Sequence, residues 1–136
     1  MRINIYIKSI ALILTLQVNA QNFIGLHKDE IARLMEETQR DFILNTGVIN
    51  KTYNYLKYED NINEQTLLYF LNEDDYCTCI RLMSDYSNFN DVKDSLNGKY
   101  TRKSDNTWTY KEKGEVYTVK LEKGEWFFTV ITKKEK

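Results

Sequence analysis

The chain has 136 residues, the size of one domain, and its 19 Lys and Arg against 20 Asp and Glu leave a formal net charge of −1. Lys and Glu are interspersed rather than segregated, which excludes long-range attraction for nucleic acid. A single His excludes a multi-histidine zinc centre and leaves few routes to a base-activated nucleophile, and the lack of Pro excludes a rigid Pro-rich linker.

The N-terminus reads as an address. Arg2 and Lys8 make a positive start, residues 10–16 (IALILTL) a short apolar run, and Val18, Asn19 and Ala20 supply the small residues read by a signal peptidase. That run is shorter than the about 20 apolar residues of a permanent anchor. The sequence thus predicts a cleaved signal peptide over 1–20 and a single exported domain over 21–136, secreted or periplasmic in a bacterium. No second apolar run of membrane length follows, so no integral membrane segment is expected in the mature chain.

Residues 27–43 are expected to form an amphipathic helix, with Ile31, Leu34, Met35, Thr38 and Phe42 on one face and Asp29 and Glu30 in the first turn. Asn45, Thr46 and Gly47 supply a stop. Residues 52–58, 66–71 and 76–83 are rich in aromatic and aliphatic residues between polar turns, and read as a three-stranded meander. Helical spacing returns over 88–100, with Phe89, Val92, Leu96 and Tyr100 on one face. The tetrapeptide EKGE then occurs twice, at 112–115 and 122–125, between strand-like runs at 107–111, 116–121 and 126–132. Each Gly is expected to close a short hairpin with a bulge.

The predicted fold class is therefore α+β: helix, three strands, helix, three strands, an antiparallel meander sheet with two helices on one face. A match at an offset of 50 (LNEDDY at 71–76 over LEKGEW at 121–126) suggests a pseudo-repeat of 21–86 and 87–136. The helix opening of Gly25, Leu26, Glu30 and Ile31 before a meander resembles the exported repeats of β-lactamase-inhibitor protein. It also resembles the small lipoprotein of the outer-membrane β-barrel assembly machinery, and the whole chain resembles small uncharacterised exported proteins of Bacteroidetes. Two departures stand out. His27 holds the cap position usually given to Thr or Ser, and Gln21 stands where the lipoprotein has Cys.

Four groups could carry chemistry. Cys77 and Cys79, two apart on a strand, are expected to share a face about 6.6 Å apart, too far and too parallel for a disulfide. With Met83 they form the one conceivable soft-metal set, but one His and two Cys cannot build a standard closed zinc site, so no metal or organic cofactor is expected. The acidic clusters at Asp29 and Glu30, Glu59 and Asp60, and 72–75 read as helix-start and turn residues, with a carboxylate pair for hydrolysis as the alternative. The aromatics, 13 % of the chain, alternate on strands, so Tyr53 with Tyr55 and Trp108 with Tyr110 each share a side.

The functional expectation is an exported non-catalytic binding module that holds a protein, peptide or glycan on an aromatic sheet face formed by Tyr53, Tyr55, Trp108 and Tyr110. An envelope-assembly or structural accessory is the alternative.

Overall fold

The computed structural model describes residues 22–47 and 54–136. The expected signal peptide and Tyr53 lie outside them. In chain order the elements are helix α1 (Lys28–Thr38), strands β1 (Ile43–Leu44), β2 (Tyr55–Asp60), β3 (Gln65–Leu71) and β4 (Cys77–Ser84). A 3₁₀ turn (Tyr86–Asn88) then leads into helix α2 (Phe89–Lys99), followed by β5 (Thr101–Ser104), β6 (Thr107–Glu112), β7 (Glu115–Lys123) and β8 (Phe128–Lys134). The strands form one eight-stranded open sheet in the order β1-β2-β3-β4-β8-β7-β6-β5, antiparallel throughout. Helix plus four strands thus occurs twice, and the last strand of each run meets the other at the centre.

The class is α+β, but each helix precedes four strands rather than three. The two additional strands are the sheet edges. β1 is two residues long, below any periodicity, and β5 (TRKS) is polar and exposed along its whole length. Short and charged edges discourage pairing with another chain.

Helix α1 starts as the sequence indicates and stops earlier. His27 stands in for Ser or Thr at the cap, its Nδ1 accepting from the Asp29 N–H at 3.2 Å. Gln39 leaves the helix (φ −131°, ψ 60°), which frees Ile43 and Leu44 to pair with Glu59 and Tyr58 of β2. Phe42 still packs against the core from outside the helix.

Strand register sorts the sheet into two faces. Leu56, Tyr69, Ile80, Thr132, Val119 and Trp108 lie in one cross-strand row, with Tyr58, Leu67, Leu82, Val130 and Leu121 in the next. This face carries both buried clusters. Ile31 and Met35 of α1 join Tyr58, Tyr69 and Ile80 in one, and Leu96 of α2 joins Trp108, Val119, Leu121, Phe128 and Val130 in the other. We call it the packed face and its opposite the open face.

The two EKGE copies build different turns. Glu112 pairs directly with Glu115 across Lys113 (φ 51°) and Gly114 (φ 79°), a two-residue hairpin without the expected bulge. At the second copy Lys123 pairs with Phe128 across four residues. There Gly124 is needed for room, since a Cβ would lie 2.7 Å from the Phe127 carbonyl oxygen. Trp126 consequently belongs to the turn, exposed, while Phe128 is core, so these two aromatics do not share a strand face.

Candidate functional site: the open sheet face

The four aromatics expected to form a platform are separated by the fold. Trp108 is fully buried on the packed face, its indole N–H donating to Asn97 Oδ1 at 2.9 Å. Tyr110 shares that side, stacked between Tyr100 (4.4 Å between centroids) and Tyr117 (5.0 Å). Only Tyr55 of the described three lies on the open face, half-buried, with its ring 5.8 Å from that of Phe70. Alternation showed which rings share a side, and the wider β6–β7–β8 register decided which side that was.

Three rows cross the open face. Tyr55, Phe70, Cys79 and Lys133 form the first, Lys57, Leu68, Arg81, Ile131 and Lys120 the second, and Glu59, Thr66, Met83, Thr129 and Glu122 the third. Leu68, Phe70, Met83 and Ile131 therefore surround Arg81 on the central strands β3, β4 and β8. The sequence carried a signal for this: residues 67–71 (LLYFL) form an unbroken apolar run. Such a run reads as a strand buried on both faces, whereas a strand with one wetted face alternates.

Arg81 is the anomaly of this face. It is half-buried, and its Nε is the only buried side-chain polar atom without a hydrogen-bond partner among the described residues. No carboxylate pairs with it among the described residues, although its neighbours in the row do pair, Lys57 with Glu59 at 3.3 Å and Lys120 with Glu122 at 3.4 Å. Its guanidinium lies 5.5 Å from the Phe70 ring centroid, a cation–π contact.

The cysteines occupy opposite faces, correcting the expectation that they share one. Leu71 pairs with Cys77 and Phe70 with Cys79, so a bulge absorbs Thr78 and reverses the alternation. Both thiols are free. Burial pushes the Cys77 thiol up to about 12. Burial also raises Cys79, against the lowering pull of Lys133 and Arg81. Met83 shares a face with Cys79 alone, which separates the conceivable soft-metal set.

The acidic clusters serve turns. Asp60 accepts from the Ile62 and Asn63 backbone N–H groups at 3.1 and 3.0 Å. Asp75 accepts from Asn54 Nδ2 at 2.7 Å and pairs with Lys28 at 3.2 Å, and these contacts hold its carboxyl below the usual range. Among the described residues no three His, Cys, Asp or Glu side chains converge as metal ligands.

Two further surfaces stand apart. A cleft of about 300 Å³ runs over the centre of the packed face, lined by Phe42, Leu67, Leu82, Val92, Leu96 and Val130. At one end of the sheet Ile62, Tyr86, Trp126 and Phe127 are exposed, with the Tyr86 hydroxyl donating to the Gly124 carbonyl.

No family model, curated protein or solved structure matches this chain.

Proposed function

We propose that this is an exported, non-catalytic binding module that captures a protein partner on its open sheet face. The single observation that carries the reading is the apolar centre of that face: Leu68, Phe70, Met83 and Ile131 on adjacent strands, opposite the two buried clusters. On the packed face such residues meet side chains of α1 and α2. The reading takes both helices to lie on the packed face, leaving this one for a partner.

Dimensions agree with that role. Eight strands span about 34 Å and six residues of strand about 20 Å, hence about 700 Å². A partner in a standard interface contributes about 800 Å². Tyr55 is retained from the expected platform, while Trp108 and Tyr110 are not part of it. Export rests on residues 1–20, the likeness to β-lactamase-inhibitor repeats on Gly25, Leu26, Glu30 and Ile31, and the order of elements.

The reading is tested by placing a photo-crosslinking phenylalanine analogue at Leu68, on the open face, or at Glu36, exposed on α1. Irradiation with envelope and extracellular fractions is expected to give a discrete protein adduct from position 68 only. Equal labelling from both positions, or none from 68, would overturn it.

A further inference from the structure

We propose that Arg81 is the receptor for a carboxylate of the protein partner, an Asp or Glu side chain set among apolar residues. This inference rests on the open-face reading above and gives it a chemistry. A guanidinium has five N–H donors in a fixed fork matched to a carboxylate. Among the described residues, no ion pair or hydrogen bond engages any of them. Of the guanidinium nitrogens Nε alone is buried without a partner, and the desolvation of that donor goes uncompensated. Phe70 offsets only part of it, through the ring contact at 5.5 Å.

The charge around it is weighted toward positive. Lys57, Arg81, Lys111, Lys120 and Lys133 project on the open face against the carboxylates Glu59, Glu122 and Glu135, the last accepting from the Thr118 hydroxyl. The chain as a whole carries −1, so this face is locally reversed. Such a field steers an acidic surface into encounter, and a desolvated pair at the centre then fixes register. Arg ringed by aromatic and aliphatic side chains is also the composition of an interface hot spot. A nucleic-acid backbone would instead be tracked by a continuous line of free cations. Here Lys57 and Lys120 are already paired, and Leu68 and Ile131 stand between them and Arg81.

The test uses the full chain and a random peptide library with amidated C-termini, followed by nitrogen-15 NMR of the selected peptides on the protein. Selected peptides are expected to share an Asp or Glu beside apolar residues and to shift open-face resonances, the Arg81 Nε–H among them. Arg81→Met should weaken binding tenfold or more without lowering the melting temperature, since it removes a buried donor that has no partner. Arg81→Lys should bind with intermediate affinity. In Arg81→Met, changing the peptide's Glu to Gln should have no further effect. A merely structural Arg81 would lower the melting temperature and leave that peptide substitution additive.

Peptides that bind the open face but lack an acid, or ignore Arg81→Met, would overturn the carboxylate and leave the open-face reading standing. Recovery of no open-face peptide would overturn both. Oligothymidylate and a uronic-acid oligosaccharide serve as further probes. Arg81-dependent binding of either, without acidic peptides, would overturn the protein partner.

Discussion

Trp108 and Phe70 are both strand aromatics of one sheet, yet they face opposite ways and have opposite surroundings. Trp108 is enclosed by Leu96, Val119 and Phe128, with its one polar atom bonded to Asn97. Phe70 meets Tyr55 and an arginine that donates to nothing among the described residues. The packed face satisfies its polar groups internally, while the open face leaves its strongest donor unused. That contrast separates a surface organised for stability from the one proposed for association.

Alkaline pH offers the largest separation of the two faces. The raised groups lie chiefly on the packed side: burial pushes Cys77 from an ordinary 9.0 to about 12 and Tyr100 from 10.0 to about 12, and raises Tyr69 well above its usual value. Each is protonated in the fold where the unfolded chain has lost its proton. Their stabilisation is complete below pH 9 and is lost as pH rises from 9 to about 12. Each such group steepens the loss by about 1.4 kcal/mol per pH unit. Urea unfolding at pH 8 and pH 11 is expected to show a large fall in midpoint, part of which disappears in Cys77→Ala. An unchanged midpoint would mean the packed face is wetter than described.

Core truncation comes next. Trp108→Ala is expected to cost about 3–5 kcal/mol, by the measure of buried aromatics. Ile131→Ala, half-buried on the open face, should cost about 1 kcal/mol. Urea unfolding of the two variants compares them directly, and equal losses would erase the distinction between the faces.

How much of this was legible in the sequence follows from how far each feature reaches along the chain. Local periodicity indicated α1, α2 and six strands, because each is decided by side chains within one turn or pleat. β1 and β5 were hidden, being defined by their partners rather than by their own composition. The two EKGE copies have identical local chemistry, and only the distance to the next paired residue makes one a two-residue turn and the other a four-residue turn with Trp126 at its tip. The site was hidden for a related reason. Arg81 is conspicuous through what it lacks, and a missing partner is visible only once the register of β3, β4 and β8 is known. The unbroken run at 67–71 was the one local sign that both faces of β3 are apolar.

The cysteine pair gives the smallest effect and the finest comparison, because two neighbouring residues of one type fall on opposite faces. Cys77→Ser places a hydroxyl in the cluster with Phe23, Tyr69 and Leu71, and is expected to cost about 1–3 kcal/mol. Cys79→Ser, beside Lys133 and Phe70, should stay within about 0.5 kcal/mol. Thiol labelling of the native protein should therefore modify Cys79 first, with Cys77 reacting only as the fold opens. The bulge at Thr78 is the physical cause of the asymmetry. If both thiols react together, or Cys79→Ser is the costlier change, the bulge does not separate them and Cys77 shares a face with Cys79. Arg81 keeps its face in either case, because its pairing with Leu68 and Ile131 lies beyond the bulge.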